Sequence, residues 1–362
     1  MTNLDDLSAL RTLDPQRMLD HVASLPRQCR DAWAATRRLA LPERYLGVHK
    51  VVIAGMGGSA IGGDLAAAVA ADSSPKPILV HRDYDLPAYV DPRTLVIASS
   101  YSGNTEETLA AFRAAHERGC PLLAVATGGK LAQLAGEWQV PLVSFDYRSQ
   151  PRAALGYLFV SLLGVLRALG LVEDLDADLA EALTILEGQG VNLAPGVPQA
   201  QNRAKQLAAD LAGRLPIVVG AGPLAPVARR WKTQLNENSK SWAYFEALPE
   251  MDHNALSGIH FPAEAGDRCC VLFLAAEDAA SWSDRGRHAR NQLRLDLTQQ
   301  ILESQQIACR RVLVPGRSSL AQILSAVQLG DYVSCYLALL YGTDPTAIQD
   351  IIGLKGLMAD HE

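Results

Sequence analysis

The chain has 362 residues, a hydrophobic content of 49%, a charged content of 20% and a formal net charge of −6. This length is enough for two domains, and this composition is that of a folded protein rather than a disordered one. The acidic balance and the lack of a basic run exclude nucleic acid as the main partner. No uninterrupted apolar run reaches the roughly 18 residues of a membrane span. Because Met1–Asp6 is acidic and lacks a signal-peptide core, we expect a cytoplasmic protein.

The first 48 residues have a helical pattern that is interrupted at Pro15, Pro26 and Pro42. Short apolar runs then alternate with Ala-rich helical stretches, and they are Val51–Gly55, Ile78–His81, Leu95–Ser100, Leu122–Ala126 and Leu142–Phe145. Such strands, separated by helices, are typical of a parallel sheet that is covered on both faces. A ligand site is therefore expected beyond the carboxyl ends of these strands.

A strongly apolar helix is predicted over Ala153–Leu171, and a more acidic, helix-rich connection follows it to Gln199. A second alternation comes next, with strands predicted at Leu215–Ala221, Trp242–Glu246, Cys270–Ala275 and Arg311–Pro315. The Pro/Gly cluster Ala194–Pro198 separates the two patterns, so we place a domain boundary between Thr184 and Gln201, with domains at 1–195 and 196–362.

The two halves also share a local pattern. Ile53–Gly57 and Val218–Gly222 both place a glycine turn between a strand and a helix, which predicts two copies of one fold. The six cysteines form no C-x-x-C pair and the eight histidines no H-x-H or H-E-x-x-H pattern. Buried free thiols and no protein-bound metal are therefore expected.

A turn of glycines and a serine, Gly55–Ser59, follows the first predicted strand. A strand end that leads into a helix N-terminus offers free backbone N–H groups and the positive end of a dipole. The Ser59 hydroxyl adds a further donor. This turn is therefore predicted to bind a phosphate group.

The third strand leads into a second turn with three hydroxyl residues, Ser100, Ser102 and Thr105. Asn104 and Glu107 are spaced as a capping box for the helix that follows. Three hydroxyls are more than one cap requires, and a cradle of N–H and O–H donors binds a dianion without Lys or Arg. We predict a second phosphate-binding turn here.

Polar residues crowd two stretches of the second half, Leu235–Lys240 and Leu248–Asn254. Glu237 lies in the first stretch and His253 in the second. Taken alone, Glu237 is typical of a solvated acid, and His253 is typical of a histidine in a turn. A carboxylate and an imidazole together are the groups that an enzyme uses to move protons near neutral pH.

These motifs resemble the bifunctional phosphoglucose/phosphomannose isomerases, members of the phosphoglucose isomerase superfamily that are built from two sugar-isomerase (SIS) domains. The resemblance spans Val51 to Lys355, and it is carried by G-M-G-G-S, S-Y-S-G-N-T-E-E-T, Gln150-Pro151-Arg152, N-E-N-S-K and L-P-E-M-D-H-N. It implies an α/β fold of two three-layer α/β/α SIS domains, each with a five-stranded, mainly parallel sheet.

The resemblance also implies an activity, the interconversion of glucose 6-phosphate and mannose 6-phosphate with fructose 6-phosphate through a cis-enediol, without cofactor or metal. Glu237 matches the base that moves a proton between C1 and C2, and Arg152 matches the residue that faces the enediolate charge. His253 and Lys355 match the pair assigned to ring opening. Phosphate contacts are implied for Gly57, Gly58, Ser59, Ser100, Ser102 and Thr105. A homodimer is implied, in which the histidine reaches the neighbouring subunit's site.

Two other function classes remain open at this point. A non-catalytic sugar-phosphate sensor would keep the phosphate cradle without needing the catalytic side chains. An NAD-dependent oxidoreductase would use Gly55-x-Gly57-x-x-Ala60 as a loose dinucleotide fingerprint, with Asp83 placed for the ribose. The oxidoreductase interpretation does not account for the second hydroxyl-rich turn. The division of activity between the two aldose phosphates stays open.

Overall fold

The computed structural model describes residues 2–278 and 288–359. Its first sheet contains the parallel strands β1 (Lys50–Ala54), β2 (Ile78–His81), β3 (Thr94–Ser99), β4 (Leu122–Ala126) and β5 (Leu142–Ser144). Their order across the sheet is β2-β1-β3-β4-β5, and each neighbouring pair is parallel. The five-stranded sheet predicted for the first half is confirmed.

Helices cover both faces of this sheet, and they are α4 (Gly57–Ala70), α5 (Glu106–Glu117), α6 (Gly129–Glu137) and α7 (Leu155–Ala168). Apolar side chains of α4 and α7 share one core cluster, and those of α5 and α6 share another on the opposite face. The chain therefore leaves β1 and β3, which are neighbours, toward opposite faces. Such a switch point opens a crevice at the carboxyl ends of the two strands.

The second sheet contains the parallel strands β6 (Leu215–Ala221), β7 (Tyr244–Leu248), β8 (Cys269–Ala276) and β9 (Ala308–Val314). Their order is β7-β6-β8-β9. The helices of this half are α9 (Arg203–Leu211), α10 (Ala225–Ser239), α11 (Ala263–Arg268), α12 (Arg290–Ser304), α13 (Ser319–Leu340) and α14 (Gln349–Ala359).

The prediction of a fifth strand in the second sheet is wrong. Among the described residues, this sheet has four strands. After β9 the chain turns at Pro315 and Gly316 and enters α13 directly. All 22 residues of α13 are buried, so this stretch is a central helix and leaves no apolar run for another strand. The prediction of two parallel α/β sheets is otherwise confirmed.

Four further helices complete the described fold, and they are α1 (Leu7–Leu13), α2 (Met18–Ala23), α3 (Leu25–Thr36) and α8 (Asp176–Asn192). The helical pattern breaks near Pro26, as predicted: α2 ends at Ala23, and Pro26 lies in the first turn of α3, where a missing N–H costs no hydrogen bond. The predicted apolar helix begins as a 3₁₀ turn, Pro151–Ala154, and continues as α7. All six cysteines are buried and free, as predicted.

The segments 151–168 and 319–340 are long and apolar enough to cross a membrane by length and composition alone. Inside the protein, 83% of the first and 100% of the second is buried. Both are therefore core helices of this fold. The apolar core runs from the first sheet to the second without interruption, and α13 lies within it.

The predicted domain boundary falls in the connection between α8 and α9. The backbone carbonyls of this connection are bonded to the second half: Tyr336 Oη donates to the Leu193 carbonyl, and Lys205 Nζ donates to the Pro195 carbonyl. The N-terminal segment also contacts the second half, since the N–H of Thr2 donates to the carbonyl of Leu340. The division at 195 and 196 stays a prediction.

Candidate active site

The turn after β1 is hydrogen-bonded to the turn after β3 and packs closely against it. Gly57 begins α4 with a φ of +50°, a conformation that favours glycine. The Ser59 side chain is buried, and its hydroxyl accepts a hydrogen bond of 3.2 Å from the N–H of Tyr101. A Cβ on Gly55 would lie 2.8 Å from the Ser99 carbonyl oxygen, so this close approach of the two strand ends requires glycine.

The turn after β3 is held by its own hydroxyls. The Ser100 and Thr105 hydroxyl oxygens lie 2.9 Å apart, and Ser100 Oγ accepts from the N–H of Gly103 at 3.1 Å. Ser102 is exposed, and its hydroxyl accepts from the N–H of Asn104 at 3.2 Å. The structure therefore brings these three predicted phosphate ligands into one compact turn, next to Ser59.

The capping box predicted from Asn104 and Glu107 is wrong. Thr105 is the N-cap of α5, and Asn104 Oδ1 instead accepts from the backbone N–H of Lys130, at the start of α6. No side chain of the described residues caps the N-terminus of α4 or α5. Both helix ends therefore keep first-turn N–H groups that are available to an anion.

Arg152 lies beside these turns and is 2% exposed. A Cβ on Gly58 would lie 3.3 Å from the Cα of Arg152, so the first turn packs directly on its backbone. The guanidinium donates from Nε to Asn238 Oδ1 at 2.6 Å and from Nη1 to Glu237 Oε2 at 3.3 Å. Its Nη2 donates to the backbone carbonyl oxygens of Pro345 and Thr346, at 2.9 and 2.8 Å.

These bonds use four of the five N–H groups of the Arg152 guanidinium. The remaining N–H belongs to Nη1 and has no acceptor among residues 2–278 and 288–359. It lies on the same nitrogen that contacts Glu237. A reacting group at this position would meet a fixed positive charge and a carboxylate side by side.

Glu237 lies in the last turn of α10, and 25% of its side chain is exposed. The helix is followed by its C-cap, Lys240, whose φ of 54° is left-handed. The Lys240 amine donates to the backbone carbonyls of Asn238 and Asp344. The end of α10 is thereby bonded to residues 344–346, the segment that leads into α14.

Burial and charged side chains shift the pKa values of the groups around Glu237. Burial lowers the pKa of the Arg152 guanidinium from its usual value, and the neighbouring Glu237 carboxylate opposes that shift. Arginine keeps its charge at any pH of interest. Burial and the positive charge of Arg152 lower the pKa of the Lys240 amine. Arg152 and Lys240 thus both interact with the carboxylates of Glu237 and Asp344, so charges of both signs surround Glu237.

Lys355 lies on α14 and is exposed. Its side chain lines a cleft of 650 Å³ together with Asn104, Thr105 and Lys130. The structure therefore brings Lys355 to the N-terminal end of α5, next to one of the predicted phosphate ligands.

His253 takes no part in the hydrogen bonds that hold Arg152 and Glu237. It ends the 3₁₀ helix Glu250–His253 after β7, an edge strand of the second sheet, and it is exposed. Its side chain makes no hydrogen bond or ion pair with Arg152, Glu237 or Lys355, all of which the structure describes. Within one chain, His253 is a surface residue.

Sequence reasoning gave no role to two parts of the site. Asn238 holds the Nε of Arg152, and the carbonyls of Pro345 and Thr346 hold its Nη2. Asn238 could have been found from its place in the N-E-N-S-K stretch next to Glu237. Backbone carbonyls have no side-chain signal in a sequence.

The chain has relatives among known proteins that match most of its length. Residues 200–358 match the bacterial phospho-glucose isomerase C-terminal SIS domain. The chain is 40% identical to the bifunctional phosphoglucose/phosphomannose isomerase of Caldicellulosiruptor bescii, over 95% of this chain and 99% of that protein. It is 37% identical to the Aquifex aeolicus protein of the same name, over 86% and 91%. A hypothetical protein of Thermus thermophilus shares the fold, with a TM-score of 0.74 and 17% identity over 98% of this chain and 94% of that one. The chain therefore belongs to the bifunctional phosphoglucose/phosphomannose isomerase family.

Proposed function

We propose that this chain is an aldose–ketose isomerase that interconverts glucose 6-phosphate and mannose 6-phosphate with fructose 6-phosphate. The observation that carries the proposal is the contact between Glu237 and the buried guanidinium of Arg152. A carboxylate supplies the base, and the fixed cation beside it supplies the charge that stabilises an enediolate. The family to which the chain belongs supports the same reaction.

The reaction moves one proton from C2 to C1 and a second proton from the C2 oxygen to the C1 oxygen. Glu237 removes the C2 proton of the open-chain aldose, the electron pair forms the C1–C2 double bond, and the C1 carbonyl oxygen takes up the negative charge. The remaining N–H of Arg152 Nη1 donates to the oxygen that carries this charge. The proton of the C2 hydroxyl passes to the C1 oxygen, and the proton on Glu237 returns to C1 as the C2 oxygen becomes the ketone. One carboxylate serves both steps because a cis-enediol presents both carbons to one face.

The phosphate group of the substrate binds between the two turns. Ser59, Ser100, Ser102 and Thr105 supply hydroxyl donors, and Gly57 and Gly58 supply backbone N–H groups. The uncapped ends of α4 and α5 support this role, because each offers N–H groups and a positive dipole end. Lys355, in the cleft beside Thr105, is proposed to act with His253 in opening the sugar ring.

We propose a homodimer in which His253 enters the site of the partner copy. The exposed position of His253, which makes no bond to Arg152 or Glu237 of its own chain, supports this arrangement. Large aromatic side chains close to His253 in the sequence also favour a covered surface, since Trp242 is 73% exposed and Phe261 is 86% exposed. A cytoplasmic enzyme is proposed as well, and the burial of both long apolar helices is consistent with it.

Mixed dimers test the shared site. Chains with Glu237→Gln and chains with His253→Ala are each expected to be inactive. After subunit exchange, each mixed dimer has one site with both native residues, so about one quarter of wild-type activity should return. Sedimentation should show one dimeric species. No recovery after proven exchange would refute the sharing of His253.

Proton NMR in D₂O tests the reaction itself. Glucose 6-phosphate and mannose 6-phosphate should both exchange the C2 proton and yield fructose 6-phosphate, with no NAD(H) or NADP(H) added. Mannose 6-phosphate should inhibit glucose 6-phosphate turnover with an inhibition constant near its own KM, because both use one site. Binding without exchange would support a sugar-phosphate sensor instead. Conversion of glucose 6-phosphate alone would refute the bifunctional activity and leave the isomerase standing.

A further inference from the structure

Arg152 belongs to a closed ring of buried hydrogen bonds that joins the 3₁₀ turn before α7 to α10 and α13. Its Nε donates to Asn238 Oδ1 at 2.6 Å, and Asn238 Nδ2 donates to Ser334 Oγ at 2.9 Å. The Ser334 hydroxyl donates to the backbone carbonyl of Asp331 at 2.8 Å. Arg230 Nη2 then donates to Asp331 Oδ2 at 2.7 Å and to the backbone carbonyl of Arg152 at 2.9 Å, which closes the ring.

The ring holds Arg152 at two points, its backbone carbonyl and the Nε of its guanidinium. One bond places the residue and the other fixes the rotation of the side chain. The amide of Asn238 can serve only in one orientation, because its oxygen accepts from Arg152 and its nitrogen donates to Ser334. The direction of the remaining Nη1–H group is set in this way.

A contribution to folding stability does not by itself explain why the ring contains the buried ion pair of Arg230 and Asp331. Arg230 is 1% exposed and the Asp331 side chain 9%, and burying such an ion pair costs a desolvation penalty that its attraction often fails to offset. Burial raises the pKa of the Asp331 carboxyl, although Arg230 acts in the opposite direction. Replacing a buried ion pair by apolar residues of similar volume is often neutral or stabilising.

We propose that Asn238, Ser334, Asp331 and Arg230 are positioning residues that aim the free N–H of Arg152 at the enediolate oxygen. This inference rests on the proposed function. None of the four contacts the reacting atoms, and each acts through Arg152. Charge stabilisation in a transition state depends on donors that are already in place, and a misplacement of about 1 Å can cost about 10²-fold in rate.

Asn238→Ala is the first test, because it removes the Nε acceptor and leaves the other Arg152 partners in place. The expected result is a fall in kcat of about 10- to 100-fold with KM for glucose 6-phosphate within about threefold of wild type. The phosphate turns are not altered, so ground-state binding should persist.

Ser239→Ala is the matched control. Ser239 is the next residue of α10, is 2% exposed, and donates to the Ser334 carbonyl at 2.7 Å, so it joins the same two helices without a bond to Arg152. It should lower the thermal midpoint about as much as Asn238→Ala and leave kcat unchanged. Ser334→Ala is measured in parallel, so that a folding failure of Asn238→Ala leaves the test intact. It removes the next bond of the ring and should lower kcat by about 3- to 10-fold.

A second readout does not depend on activity. The Nε–H of Arg152 should give a slowly exchanging arginine side-chain signal in ¹H–¹⁵N NMR of the wild type, which disappears in Asn238→Ala and persists in Ser239→Ala. A wild-type kcat in Asn238→Ala, or equal losses of kcat in both variants, would overturn the positioning role. A wild-type chain that converts no hexose 6-phosphate would instead refute the proposed function.

Discussion

The turn after β1 and the turn after β6 have almost the same backbone conformation and different chemistry. The residue that precedes each turn is extended, with φ and ψ of −126° and 157° at Met56 and −129° and 149° at Ala221. The next residue is a left-handed glycine in both, with φ of +50° at Gly57 and +52° at Gly222. The two halves therefore build one turn twice.

The side chains that follow separate the two copies. Gly58 and Ser59 in the first turn correspond to Pro223 and Leu224 in the second. Proline has no N–H and leucine has no hydroxyl, so the second turn lacks two of the donors that a phosphate needs. Both Pro223 and Leu224 are buried, which makes the second turn part of the core.

The helices that follow the two turns, α4 and α10, also differ at their C-terminal ends, and here the polar residues belong to the second half. The last turns of α4 are mostly alanine, whereas the last turn of α10 carries Glu237 and Asn238. Phosphate binding is thus proposed for the start of one helix and proton transfer for the end of its counterpart. A repeated local shape does not repeat a function, because the donors and charges on it decide what it can bind.

The largest effect on activity is expected from a substitution in the last turn of α10, where Glu237 lies. Glu237→Gln keeps the shape of the side chain and cannot accept a proton, so kcat should fall by about 10²–10⁴-fold or more. Binding of glucose 6-phosphate should change little, because the phosphate turns belong to the other half. Stopped-flow or NMR turnover and isothermal titration would measure the two quantities.

Glu246→Gln is the matched control for that substitution. Glu246 is another partly exposed glutamate of the second half, on β7, and it has no bond to Arg152. This variant should keep kcat near the wild-type value. Near-normal turnover in Glu237→Gln would show that the base lies elsewhere.

A smaller effect is expected from the hydroxyls of the first half. Ser102→Ala and Thr105→Val each remove one donor to the phosphate, and a hydrogen bond to a charged group contributes about 1.5–3 kcal/mol. KM should therefore rise by about 10- to 100-fold with little change in kcat, since the bond is shared by ground and transition states. Ser304→Ala removes an exposed hydroxyl of α12 and should change neither. A fall in kcat without a rise in KM would contradict a phosphate-binding role.

The sequence predicted the strands well because each is a short apolar run between turns. All nine predicted strands occur, within a few residues at each end, and β8 extends the predicted strand by one residue at each end. The fifth strand of the second sheet was expected from the family resemblance, and the second half has no apolar run for it. The capping box failed because the amide of Asn104 bonds to Lys130 of another helix, a tertiary contact that local spacing cannot show.

The site was predictable in its residue types and not in its contacts. Glu237 and Arg152 were found from motifs, yet they lie 85 positions apart in the chain, and only the fold shows that they touch. The bond from Arg152 to the Thr346 carbonyl joins residues 194 positions apart. No pattern of side chains points to such an acceptor, since every residue has a backbone carbonyl.

The smallest and most direct test compares the two glycine turns themselves. Gly57→Ala and Gly222→Ala place a Cβ where no atom lies within 4 Å, so each is strained only by its positive φ. The cost should be nearly equal, about 1–2 kcal/mol, and should appear as equal shifts of the urea midpoint. Only Gly57→Ala should raise KM for glucose 6-phosphate, because only the first turn is proposed to hold the phosphate. Equal rises in KM in the two variants would mean that a general loss of stability, rather than a loss of phosphate contacts, weakens substrate binding. A KM that stays constant in Gly57→Ala, with the expected urea shift, would remove the first turn from the binding site and leave the hydroxyls after β3 as the phosphate cradle.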